Sequence, residues 1–159
     1  MDAISPGADQ YAQAVAAAAA GGFGGPGVRM ATGADGDCYF ALVIPTSSDS
    51  RIYRCDDTGA LNFVQLGAIA PYMVNAGDTV RLEAQGTTLT LKVNGGTVHT
   101  QTDATYASGR GGLFIWASTI AGDEWDDFGS GDLPVVTPKE PALERLARGL
   151  HRGLARGAA

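Results

Sequence analysis

Histidine, cysteine and tryptophan each occur only twice in this chain, and no apolar run approaches the roughly 20 residues that a membrane span requires. The histidines, His99 and His151, lack the spacing of a metal site or of a nucleophile–base pair, so both are read as surface residues. Two cysteines cannot build a disulfide framework. Basic residues are scarce and unevenly placed, 11 against 17 acids for a net charge of −6. Five of them (Lys139, Arg145, Arg148, Arg152, Arg156) follow residue 138, where only Glu140 and Glu144 oppose them. The tail therefore carries about +3 and the remainder about −9. An acidic body argues against nucleic acid as the main partner, because phosphate binding needs concentrated Lys and Arg. The start, Met1-Asp2-Ala3-Ile4-Ser5-Pro6, lacks the positive charge of a secretory signal, which points to folding in a cytoplasm.

What the chain has is glycine, 23 of them, and short alternating apolar runs between glycine-rich turns. Val80, Leu82 and Ala84 alternate with Thr79, Arg81 and Glu83, and Leu89, Leu91 and Val93 with Thr88, Thr90 and Lys92. Asn94-Gly95 is a strong hairpin signal. Two-residue loops at 85–86 and 94–95 would set Val80 beside Leu91 and Val98, with Arg81, Thr90 and His99 on the other face. Further runs lie at Val28–Met30, Cys38–Ile44, Ile52–Cys55, Phe63–Ile69 and Leu113–Ala117. Short strands at this spacing predict an all-β sandwich or barrel. The alanine run of Tyr11–Ala20 favours helix by propensity. Its place before Gly21-Gly22 in an all-β chain argues instead for a strand with small side chains. A hairpin pairing Ile44 with Asp49 sets Cys38 opposite Cys55, within disulfide reach. The alternative is two buried thiols, which a reducing compartment favours.

After Pro134 the pattern changes. Pro138 and Pro141 end the β pattern, and Leu143, Leu146, Leu150 and Leu154 then recur at helical steps, flanked by Arg145, Arg148 and Arg152. This predicts a division into a sandwich over 1–136 and a Pro-bounded linker with a basic amphipathic α-helix over 137–159. Such a helix is marginal alone in water, so its leucine stripe calls for a covering partner.

The stretches Gly77–Gly95, Thr102-Asp103, Ser108–Leu113 and Asp126-Asp127-Phe128 resemble the second half of a concanavalin A-like lectin/glucanase (laminin-G-like) domain, and Asp9–Val15 and Val28–Leu42 its earlier strands. The resemblance spans roughly residues 9 to 130 and implies a two-sheet antiparallel jelly-roll sandwich. Such domains occur in lectins, glycanases, adhesion proteins and phage virion proteins. The family's aromatic-rich opening strand has no counterpart before residue 9.

Glucanases of that superfamily carry E-x-D-x-(x)-E on one strand, and Glu124-Trp125-Asp126 matches its first half. The acid that must protonate the leaving oxygen would stand at Phe128 or Gly129, and neither can. The expectation is therefore no catalysis, with "GDEWDDF" as the closing strand, Trp125 and Phe128 anchoring opposite faces. Calcium would draw on Asp123, Asp126 and Asp127, or on Asp35 and Asp37, but aspartate beside glycine is ordinary turn chemistry, so no cofactor is expected. Glycan stacking would use Trp116, Trp125, Tyr72 and Tyr106, against which stands the tendency of strand tryptophans to fill cores. The functional expectation is a non-enzymatic phage virion component, capsid-decorating or tail-associated, assembled in the host cytoplasm. It would display the sandwich outward and dock its helix on another virion subunit or a second copy, without nucleic acid or membrane partners. The alternative is an adhesion module that binds cell-surface glycans.

Overall fold

A computed structural model describes residues 8–17, 23–32, 36–44, 47–116 and 125–134. Every regular element among them is a strand: β1 (Gln10–Ala16), β2 (Phe23–Met30), β3 (Cys38–Ile44), β4 (Asp49–Asp57), β5 (Leu61–Ala70), β6 (Thr79–Gln85), β7 (Thr88–Val93), β8 (Gly96–Thr102), β9 (Arg110–Trp116) and β10 (Trp125–Asp132). They form two five-stranded sheets, β10-β1-β6-β7-β8 and β5-β4-β3-β2-β9, antiparallel throughout. The expected all-β, two-sheet sandwich is observed. The predicted tail helix, with Leu143, Leu146, Leu150, Leu154 and its arginines, lies outside the described residues.

Strand alternation builds the core. Ala12, Val80, Leu82, Ala84, Leu89, Leu91 and Val93 of the first sheet meet Val28, Tyr39, Ala41, Val43 and Ile52 of the second. Each large aliphatic side chain among them, fully buried, contributes roughly 1.5–3 kcal/mol. The alanine run does form a strand over Gln10–Ala16, and Ala12, Ala14 and Ala16 are all buried. Their small side chains let the sheets approach, so packing overrides helix propensity.

The meander β6-β7-β8 is present with two corrections. Gln85 pairs with Thr88, which moves the first turn to Gly86-Thr87 and sets Val80 opposite Val93 and Leu82 opposite Leu91. Gly86, at φ +53°, takes the first loop position, where a left-handed residue suits the hairpin twist. The two-residue slip preserves which face is inside. The second turn falls at Asn94-Gly95 as expected, both at positive φ. A bulge between Leu91 and Lys92 then brings His99 opposite Leu91. His99 is therefore half-buried on the leucine side rather than on the polar face, and its ring lies 3.2 Å from the Gln101 amide.

One end of the sandwich is tied by a buried arginine. Arg29 sits in a bulge of β2 at φ +53° and is almost wholly enclosed. Its guanidinium donates to the main-chain carbonyls of Ala8 (2.8 Å), Gly86 (2.6 Å) and Tyr106 (2.8 Å). Three segments distant in sequence thus converge on one planar donor fork.

Candidate functional site

The second sheet is apolar on both faces. Alternation in β3 sends Tyr39, Ala41 and Val43 into the sandwich and Cys38, Phe40 and Leu42 outward. Register places Tyr53 opposite Phe40 and Arg51 opposite Leu42, while Phe63 on β5 faces Cys55. Phe40, Tyr53, Phe63 and Phe114 therefore share the outer face. Phe40 stacks on Phe114 with centroids 3.9 Å apart and lies near-parallel to Tyr53 at 5.5 Å. Phe63 meets Phe40 and Phe114 edge-on at 5.8 and 5.6 Å. Phe40 and Phe114 come from strands on either side of β2, which carries Gly27 opposite Phe40 and Gly25 opposite Phe114. The two rings meet although β2 runs between their strands.

A pocket of about 250 Å³ opens on this face, lined by Phe40, Leu42, Tyr53 and Phe63. One rim is polar. The Tyr53 hydroxyl lies 3.2 Å from Gln65 Oε1, and Arg51 Nη1 donates to both, at 3.0 and 3.2 Å. Arg51 Nε donates to Asp49 Oδ1 at 2.6 Å, and its Nη2 pairs with Asp49 Oδ2. The Gln65 amide donates to the Gly67 carbonyl at 2.8 Å, fixing which end of the amide faces the tyrosine. Aromatic walls with a few fixed polar groups at one edge are the usual make-up of a small-molecule site. Ring faces carry negative charge density and attract the C–H bonds of a sugar ring, while the rim offers partners for its hydroxyls.

A second polar grouping lies on the inner side of β4. Tyr39 donates to Asp103 Oδ1 at 2.6 Å, Arg54 Nη1 to Asp103 Oδ2 at 2.9 Å, and Tyr106 to Asp56 Oδ1 at 2.6 Å. Arg54 Nε and Nη2 also hold Asp56, at 2.6 and 2.9 Å. Burial alone would raise Asp103, but hydrogen bonds from Thr105 and Tyr39 and the Arg54 charge hold it down at about 2. Hydrogen bonds from Arg54 and Tyr106 likewise lower Asp56. A general acid must carry its proton at working pH, and these two carboxylates are held ionised. The grouping is a clip that fastens the β8–β9 connection to β4.

Among the described side chains, Tyr72, Tyr106 and Trp125 of the expected aromatic set do not come together. Tyr106 is committed to the clip, stacked at a tilt 5.3 Å from Tyr39. Trp125 opens β10 in the first sheet and packs against the main core. Tyr72 is exposed just past β5, and Trp116 ends β9 at the opposite edge of the same sheet. The Trp116 side chain lies outside what the structure describes. In the closing strand, β1 and β10 shift register between Gln13 and Val15, where Asp127 adopts φ +48°. Phe128 consequently projects into solvent, 45% exposed, and anchors neither face. Asp126 and Asp127 are exposed, Asp35, Asp123 and Glu124 lie outside the described residues, and no metal-binding cluster occurs among the described residues. Asp37 instead accepts the Asp57 N–H at 2.7 Å, as turn chemistry would have it.

The forecast register pairing Ile44 with Asp49 and Cys38 with Cys55 is observed, and both cysteines are buried free thiols. That register also fixes Phe40 opposite Tyr53, so the outer aromatic face is within reach of the sequence. What hides it is that "CYFALVI" is apolar at both parities, so alternation cannot tell which face is the core.

No protein-family model matches the chain, and no curated protein sequence does. Among solved structures it is similar to the carbohydrate-binding module CBM66 from Bacillus subtilis, at TM-score 0.63 and 15% identity over 81% of this chain and 78% of that one. It also matches the kappa-carrageenase of Pseudoalteromonas carrageenovora, solved with a kappa-carrageenan oligotetrasaccharide, at TM-score 0.41 and 13% identity over 70% of this chain and 50% of that one. The chain has the two-sheet, lectin-like β-sandwich fold.

Proposed function

We propose that this chain is a carbohydrate-binding module that takes a saccharide on the outer face of its second sheet and does not turn it over. The observation that carries the reading is the pocket of about 250 Å³ between Phe40, Leu42, Tyr53 and Phe63, edged on one side by Arg51, Gln65 and Asp49. Tyr53 and Phe63, both partly exposed, supply the stacking surface, and Phe40 beneath them is buried support. The resemblance to lectin-like domains and the fold likeness to a carbohydrate-binding module both favour this reading. The virion role draws on the lectin-like sandwich together with a docking tail over 137–159, and that tail lies outside the described residues.

A glycan array followed by calorimetry on the best binder tests it. Tyr53→Ala and Gln65→Ala are expected to weaken binding at least tenfold without loss of the folded β spectrum. Silence across the array, or a binder indifferent to both substitutions, would refute the proposal.

A further inference from the structure

Granting that this face binds saccharide, we infer that its ligands are uncharged glycans and that sulfated or uronic saccharides are rejected. The cation at the rim is already engaged. Of the five N–H donors of Arg51, Nε and one on Nη2 go to the two oxygens of Asp49. Nη1 donates to the Tyr53 hydroxyl and to Gln65 Oε1. A carboxylate gripping a guanidinium by both oxygens cancels its charge over the distance of a sugar ring. An incoming sulfate would have to displace Asp49 to gain an ion pair, and Asp49 belongs to the same strand two residues away.

Among the described residues, the surroundings add no further cation to the pocket. Arg110 stands on β9, at the opposite edge of the sheet from β5. Toward the Cys38–Cys55 end of the face come Asp37 and Asp57, both accepting main-chain hydrogen bonds as carboxylates do. The chain as a whole carries −6, so a polyanion approaches against the net field. What the rim does offer suits hydroxyls. The Asp49 oxygens keep lone pairs after binding Arg51, and the Tyr53 hydroxyl and the Gln65 side chain can each accept or donate. An aspartate locked by an arginine is a fixed acceptor for sugar O–H groups and needs no net charge on the ligand.

The test pairs each neutral binder with its own sulfated or carboxymethylated form, at about 20 and about 300 mM salt, on either side of physiological screening. Wild-type protein is expected to bind the neutral form at least tenfold more tightly. Asp49→Asn releases Arg51, and binding of the sulfated form should rise at least threefold at low salt and fall back at high salt. The double variant Asp49→Asn/Arg51→Gln should lose that gain. It also controls for a fold effect of the first change, since both keep the amide at residue 49. Wild-type protein that binds the charged form as well as the neutral one, in a manner that Tyr53→Ala abolishes, overturns this inference and leaves the binding module standing. Failure to bind either form removes the module reading and this inference with it.

Discussion

Replacing Asp103 by Asn removes one charge from the clip and little of its shape. The carboxylate accepts from Tyr39 at 2.6 Å, from the Thr105 N–H at 2.8 Å and from Arg54 at 2.9 Å, and its side chain is only 13% exposed. Its pKa is held at about 2 against the usual 3.8. A folded-state value below the unfolded one stabilises the protein above about pH 4, and that contribution fades as the pH falls through 2. At about 1.4 kcal/mol per unit, the contribution at neutral pH is about 2 kcal/mol. The same linkage leaves roughly half of it at pH 3 and little at pH 2. Urea unfolding followed by tryptophan fluorescence should therefore place Asp103→Asn about 2 kcal/mol below wild type at pH 7. The gap should narrow to about 1 kcal/mol at pH 3. Asp78 titrates low as well but is independent of Asp103 and cancels in the difference, whereas Asp56 loses the repulsion of Asp103 in the variant and is lowered further, which trims the gap. Because the clip lies on the opposite face of β4 from the pocket, saccharide affinity should stay within twofold. A gap that does not change with pH, or the absence of any gap, refutes the electrostatic account of the clip.

Two glycines at positive φ should separate backbone strain from steric collision. Gly77 (φ +90°) has open space where a Cβ would stand, so Gly77→Ala should cost only the left-handed penalty of about 1–2 kcal/mol. A Cβ on Gly109 would collide with the Arg29 carbonyl carbon, in the tie that closes the sandwich end. Gly109→Ala should melt clearly lower than Gly77→Ala, and equal melting temperatures would count against the crowding described for Arg29. Burial, with the neighbouring Cys55 second, pushes the Cys38 thiol up to about 12, and burial raises Cys55 as well. Neither thiol should react with an aromatic disulfide reagent at pH 8 in the native state, and both should do so in urea; labelling of the folded protein within minutes would contradict their enclosure.

The fold is more legible in the sequence than the site, and particular residues show why. In β6 and β7 only one parity is apolar, so even a turn misplaced at Gln85-Gly86 leaves Val80, Leu82, Leu89 and Leu91 on the correct side. The position of His99 is not legible, because nothing in "GTVHTQT" announces that Val98 is passed over as the extra residue of a bulge. Tyr106 and Trp125 suggest ring surfaces by chemical type alone, yet a hydrogen bond donated to remote Asp56 and core contacts absorb them. Phe40 stays inconspicuous for the converse reason: in the doubly apolar β3, neither parity marks itself as the outside, and Tyr53 and Phe63 join its face only through strand pairing. That same ambiguity is informative about function. A two-sheet sandwich needs one apolar face per sheet to fold, and the inner faces of Val28, Ala41, Val43 and Ile52 already meet that need. The stacked rings on the far side of the same sheet serve no inter-sheet contact, and water would favour polar groups in their place. Aromatic side chains on a face that makes no inter-sheet contact are what the proposed saccharide site would draw on, and the polar edge at Arg51, Gln65 and Asp49 would set its chemistry.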